Sequence, residues 1–285
     1  MAPKIARFAY DAPRARIGDA LLEDGAVIVE GALSKEVLAE FNQEIDGIIK
    51  EDAERDRLYS NSTITAFFGA NTGQVASLAS RSAVFRREVL CHELNMALCD
   101  RVLLPNCARY QLNFSNVMLR GPGANAQPLH RDDGIYIYMP KPSFHLELAS
   151  MVALGEFSAE MGATLIAPGS HLWPEERQAK PEELVVAEME PGSSAFYLGS
   201  VVHAGGENRT ADKWRRGMHL SYCLGWLRAQ ENIFLSTPME IVRSLPREQQ
   251  AMMGYAIHDA IDIMGGFVNA VDWRDPLDLI AEGRL

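Results

Sequence analysis

The sequence is short of most features that would mark a secreted, membrane-embedded or nucleic-acid-binding chain. It has four cysteines, Cys91, Cys99, Cys107 and Cys223, with no C-x-x-C pair and no disulfide-framework spacing. Cys91 and Cys99 fall in a stretch that reads as helix, where eight residues rise about 12 Å, too far for a disulfide. Reduced thiols packed in a core, and with them a cytoplasmic location, are the expectation. No run of 18 apolar residues occurs, and no apolar segment follows Met1-Ala2-Pro3-Lys4-Ile5-Ala6-Arg7, so neither a membrane span nor a secretion signal is indicated. Basic residues are in deficit. The formal net charge of −11 would repel nucleic-acid phosphates and gives no support to an anionic membrane partner.

What is present suits a globular enzyme. A chain of 285 residues with 47% hydrophobic content can bury a large core, and one domain over residues 1–285 is expected. Its first part, about residues 1–108, reads mainly as helical support. Gly25 ends a short amphipathic turn, Ala26-Val27-Ile28-Val29 is a β-branched strand, and Ser34 caps a helix whose stripe is Val37, Leu38, Phe41, Ile45, Ile48 and Ile49. Residues 56–77 show no clean period and read as a loop, a candidate lid carrying Phe67-Phe68; a helix is expected from Ser82 to Leu98. From Tyr110 the period becomes two. Short strands then recur to about residue 228, at 145–154, 164–167, 185–189, 194–198, 201–203 and 215–227, separated by turn formers such as Pro168-Gly169-Ser170. This predicts a mostly β, double-stranded β-helix core (a cupin-like jelly roll) with flanking α-helices, and a helical closing segment over residues 229–285 that could return over the barrel mouth.

Two segments about seventy residues apart carry the chemistry: Gln127-Pro128-Leu129-His130-Arg131-Asp132-Asp133 and Val201-Val202-His203-Ala204-Gly205-Gly206. On an extended strand His130 and Asp132 share a face, and a distant strand supplies His203. Two histidines and one carboxylate leave open coordination positions on a divalent iron, as an oxygenase needs. Asp133 is the rival ligand and would point to the opposite face. About a dozen residues beyond His203, Arg215 shares a face with Gly217 and His219, while Arg216 faces away with Met218, Leu220 and Tyr222. An arginine there can fork onto a carboxylate held at the metal. His219 is of interest for that shared parity; His92, His145, His171 and His258 read as surface or satisfied polar residues.

The H-x-D step, the run Gly162-Ala163-Thr164 through Pro168-Gly169-Ser170-His171, the segment His203-Ala204-Gly205-Gly206-Glu207-Asn208-Arg209-Thr210 and Arg215 together resemble the phytanoyl-CoA dioxygenase superfamily of Fe(II)/2-oxoglutarate oxygenases, over about Ile17 to Ile280. The similarity is greatest to microbial members that tailor natural products. It implies Fe(II) held by His130, Asp132 and His203, with 2-oxoglutarate and O2 as co-substrates. It also implies a salt bridge from Arg215 to the far carboxylate, hydrogen bonds from Thr164 and Gln127, and conversion of 2-oxoglutarate to succinate and CO2 as the primary substrate is hydroxylated, desaturated or rearranged.

Tyr136, Tyr138, Phe67, Phe68 and Trp226, with Met151 and Met252 behind them, are candidate substrate contacts; an aromatic and methionine lining suits a small hydrophobic substrate. A homodimer is compatible with the sequence. Two other readings stay open: a metal-binding cupin that acts as an isomerase or hydrolase, and a non-catalytic binding protein.

Overall fold

The computed structural model describes residues 3–54, 62–259 and 266–285. Strand β1 (Ala6–Ala9) and helix α1 (Arg14–Asp24) lead into β2 (Ala26–Glu30), helices α2 (Lys35–Glu54) and α3 (Ser62–Phe68), and β3 (Thr72–Ala76). Helices α4 (Leu78–Arg81) and α5 (Glu93–Val102) precede the long strand β4 (Tyr110–Arg120). Then come β5 (Glu147–Ala153), β6 (Thr164–Ile166), β7 (Val185–Val186), β8 (Ser194–Leu198), β9 (His203–Gly205) and β10 (Arg215–Leu224). Short helices at Ile233–Ser236, Met239–Ser244, Arg247–Gln250 and Pro276–Ala281 close the chain.

The strands form two facing sheets. The larger has the order β1-β2-β8-β5-β10-β4-β3 and is antiparallel apart from the β1/β2 pair; the smaller is β7-β6-β9. This is the expected double-stranded β-helix with flanking helices. One apolar core runs from Ile5 through β2, β5, β8 and β10 to Ile280. Parity along β10 separates the two sides of the larger sheet. Arg216 turns outward to pair with Asp46 on α2, whereas Arg215 and His219 point inward and are 2% and 7% exposed. The stripe on α2 buries Phe41, Ile45 and Ile48 against that outer side, and the Ser34 hydroxyl caps the helix by accepting from the Val37 amide at 3.2 Å.

Three local expectations are corrected. Residues 62–76 are not a loop but α3 followed by β3, which pairs with β4 at the sheet edge; residues 56–61 lie outside the described residues. The helix expected over Ser82–Leu98 is split into a π turn at Phe85–Val89 and α5, because His92 leaves helical geometry and its ring accepts from the Leu94 amide. His203 opens a strand rather than ending one. Of the described residues of the closing segment, Gln230 lines the central cavity; residues 260–265 lie outside the described residues.

Gly162 fixes how the connection into β6 passes β9. It has φ +81°, and a Cβ there would stand 2.5 Å from the carbonyl oxygen of Gly206. That oxygen belongs to the backbone and cannot rotate away. Gly162→Ala should therefore destabilise the fold by about 1–3 kcal/mol, combining left-handed strain with overpacking, read as a lower urea midpoint with an unchanged slope.

Candidate metal centre and co-substrate cavity

The site lies between the two sheets, where the segment ending at His130 joins the smaller one. His130 and His203 form an antiparallel bridge with reciprocal backbone hydrogen bonds of 3.0 and 2.9 Å. Each imidazole donates through Nδ1 to the carbonyl two residues before it, His130 to Pro128 at 2.8 Å and His203 to Val201 at 3.1 Å. That arrangement turns the Nε2 lone pairs toward a common point. Asp132 Oδ1 lies 3.6 Å from His130 Nε2 and 3.5 Å from His203 Nε2, and the three donor atoms are all within 4.8 Å of one another.

The route by which Asp132 arrives differs from the expected strand. Only Arg131 between them is extended, at φ −118° and ψ 136°; Asp132 opens a 3₁₀ turn that runs to Ile135. One extended residue is enough to place His130 and Asp132 on one side. Asp133 leaves on the other, where its amide donates to the Gly199 carbonyl at 3.2 Å and its side chain faces a separate pocket with Tyr136, Lys141 and Glu175.

The electrostatics suit a cation. Burial lowers the His203 pKa to about 4, which keeps its imidazole neutral and able to ligate. Burial raises the Asp132 carboxyl, but His203, His219 and His130 outweigh it and hold the group below the usual carboxylate range. Asp132 Oδ2 is buried and has no hydrogen-bond partner among the described residues. Two imidazoles with their Nε2 atoms turned to one point and a buried carboxylate oxygen without a hydrogen-bond partner fit a divalent iron site with open positions.

Around this centre is a cavity of about 330 Å³. Part of its lining is polar. Arg215 donates through Nε and Nη2 to the Gly162 carbonyl at 3.2 and 2.9 Å, with its guanidinium 4.5 Å over the Phe157 ring; its Nη1 has no partner among the described residues. A Cβ at Gly217 would sit 3.2 Å from that Nη1, so glycine keeps the path of the side chain clear. Thr164 Oγ1 is likewise buried and unpaired. Gln127 spends its oxygen on the Gly205 amide at 2.7 Å, leaving its amide donors for a ligand. Apolar side chains line the same cavity: Phe67, Phe68, Phe114, Met118, Ile135 and Met151. Phe67 packs edge-on against the His130 ring at 4.8 Å.

Of the expected substrate contacts, Phe67, Phe68 and Met151 line this cavity. Tyr136, Tyr138, Trp226 and Met252 do not: the 3₁₀ turn leads the chain after Ile135 away from the cavity, and Trp226 and Met252 lie in segments beyond β10 that pack elsewhere. Tyr136 donates to the Arg228 carbonyl, Tyr138 is 95% exposed, Trp226 donates to the Asn106 carbonyl, and Met252 is buried in the C-terminal packing. The sequence reading passed over Arg120, Phe114 and Met118, which share one face of β4. His219 proves close to the centre, its Nε2 3.5 Å from Asp132 Oδ2.

The profile of the phytanoyl-CoA dioxygenase (PhyH) family matches residues 21–217. The chain belongs to this family. Dioxygenase FrzG of a Cladobotryum species is 34% identical over 256 residues, covering 84% of each chain. Dioxygenase trt7 of Aspergillus terreus is 38% identical over 205 residues, covering 70% of each, and multifunctional dioxygenase prhA of Penicillium brasilianum is 32% identical over 266 residues, covering 89% of this chain and 86% of its own. Among solved structures the fold is similar to the epimerase SnoN in complex with Fe3+, alpha-ketoglutarate and nogalamycin RO, with TM-score 0.60 and 20% identity over 91% of this chain and 96% of that one. This PhyH-family protein is a non-haem Fe(II)/2-oxoglutarate-dependent dioxygenase. No helix among its described residues is long and apolar enough to cross a membrane.

Behind the metal centre the dioxygenase buries a further acid. Glu147 on β5 is 1% exposed, and burial, followed by the charge of Asp132, pushes its pKa from 4.5 to about 8. A carboxyl whose pKa is raised by folding takes up a proton as the chain folds. Its penalty is absent below the unfolded value near 4.5 and grows as the pH rises toward 8. Metal-stripped protein should thus lose unfolding free energy across that window, and Glu147→Gln should flatten the loss, as read from urea denaturation at pH 5 and pH 9.

Proposed function

We propose that this enzyme oxidises a small, predominantly apolar metabolite, holding Fe(II) with His130, Asp132 and His203 and 2-oxoglutarate with Arg215, Thr164 and Gln127. The observation that carries this reading is a single cavity lined by the His-Asp-His cluster, by the unpaired Arg215 Nη1 and Thr164 Oγ1, and by a set of apolar side chains. When bound, iron and 2-oxoglutarate supply the oxidising chemistry, consuming O2 and releasing succinate and CO2.

The residues of this chain bind and orient. Arg215 has its donors aimed by the Gly162 carbonyl, so its free Nη1 meets an incoming carboxylate without losing torsional freedom at that moment. Phe67, Phe68, Phe114, Met118 and Met151 exclude water from the reacting face and bring an apolar C–H bond to it. A biosynthetic product as substrate accords with the nogalamycin RO bound to SnoN, an epimerase from nogalamycin biosynthesis, in the solved complex. Hydroxylation is the simplest outcome of such a site. A hydrolase or a non-catalytic binding protein would have no use for a buried arginine with a free Nη1 beside the metal site.

Separate replacement of His130, Asp132 and His203 by alanine should strip iron from the protein, measured by elemental analysis, and abolish succinate formation. Asp133→Ala should leave most iron bound; if it loses the metal while Asp132→Ala keeps it, the ligand set is wrong. Arg215→Met should raise the apparent 2-oxoglutarate constant about ten- to hundredfold, since a charge-assisted hydrogen bond contributes about 1.5–3 kcal/mol. Arg216→Met, on the outer face with Asp46, should leave that constant near wild type.

A further inference from the structure

The end of β4 places a second guanidinium in the cavity. Arg120 is 4% exposed, lines the same space as Arg215, and stands directly opposite it in the β4/β10 register. Like charges at directly opposed positions repel. Neither arginine has a carboxylate partner among the described residues. Arg215 donates to the Gly162 carbonyl, and Arg120 donates to the carbonyls of Phe68, at 3.1 Å, and Asn125. Carbonyls satisfy the N–H groups but leave both net charges in place, and a buried charge without a counter-ion is costly. Burial lowers both pKa values, Arg215 further through Arg120, but only to about 9 and about 10, so both groups stay charged at neutral pH.

The surrounding residues are shaped to keep Arg120 there. At Gly205 a Cβ would meet Arg120 Nη2 at 2.9 Å and Gln127 Oε1 at 2.6 Å, so the missing side chain is what lets this guanidinium reach the cavity wall beside Gln127. The third arginine lining the cavity, Arg131, spends its donors on the carbonyls of Ser200, Glu175 and Ser170. Asp132, the acid in the lining, is drawn in among three histidines. An anion with two negative charges is the ligand that this wall lacks.

We infer that Arg120 is a second anchor for the dianionic co-substrate, binding a carboxylate of 2-oxoglutarate alongside Arg215. The inference rests on the reading of this cavity as the 2-oxoglutarate site. The alternative is that Arg120 merely braces the backbone at Phe68 and Asn125, and two variants separate the roles. Arg120→Lys keeps the charge but loses the fork, whereas Arg120→Gln keeps amide donors for the two carbonyls but carries no charge.

Fe(II)-loaded enzyme is titrated anaerobically with 2-oxoglutarate, following the visible charge-transfer band and, independently, the heat of binding. Arg120→Gln should weaken binding about ten- to hundredfold and Arg120→Lys less than about tenfold, while ligand-free Arg120→Gln melts no lower than wild type because a repulsion has been removed. Wild-type affinity in Arg120→Gln, or weaker binding by Arg120→Lys than by Arg120→Gln, would overturn the inference and leave Arg120 a brace. Arg215→Met is the control for the underlying reading. If that variant binds 2-oxoglutarate as wild type does, the site assignment itself fails, whatever Arg120 does.

Discussion

The antiparallel bridge between His130 and His203 fixes nearly everything about this site. Its two reciprocal hydrogen bonds seat the segment before Asp132 on the edge of β9, and the ladder continues backward, with the Gln127 amide donating to the Gly205 carbonyl at 2.9 Å and the Gln127 side chain returning to the Gly205 amide. Residues 127–130 are in effect one more strand of the smaller sheet. β9 in turn pairs with β6 in the register Thr164↔Gly205. Two metal-facing imidazoles and two donors of the polar lining are thus spaced by a single backbone ladder. Such spacing is precise because it is set by peptide geometry rather than by long side chains in competition with water.

The larger sheet contributes charge instead. Its inward face brings Arg215 and His219 from β10, Arg120 from β4 and Glu147 from β5 into a space that water barely enters. In such surroundings charges act strongly on one another. The empty protein therefore carries opposing stresses on the two sides of the centre: unneutralised guanidinium groups toward one wall, and carboxyl groups crowded behind Asp132 on the other. Burial also pushes Asp133 up, to about 6, with the Asp132 charge as the second cause.

How far the sequence showed this varies with the regularity of the backbone. Along β10 the pairing with β4 keeps a regular register from Arg215 to Ser221, so the separation of Arg215 from Arg216 follows from counting. Around Asp132 alternation holds for a single residue, and the structure brings Asp132 rather than Asp133 to the histidines through that one extended step. Beyond it the 3₁₀ turn ends the alternation and carries Tyr136 and Tyr138 away from the cavity. The Asp133-Gly134 pair is the turn-forming signal for that break. Arg120 was legible in principle, since Phe114 and Met118 lie on its face of β4, but it ends a strand that precedes the H-x-D motif and carries no metal ligand. The split of the Ser82–Leu98 helix falls where His92 leaves helical geometry after a π turn, neither of which shows in the apolar periodicity.

The Gly162 carbonyl aims Arg215 without discharging it. A carbonyl dipole can orient a guanidinium, but only an anion cancels its charge, so the folded chain is at its most stable when a small acid occupies the cavity. By mass action that gain grows with the logarithm of ligand concentration above the dissociation constant. The lifetime of the folded protein is then coupled to the metabolic supply of the dicarboxylate it consumes: a cell short of that acid would clear the enzyme faster at an unchanged rate of synthesis.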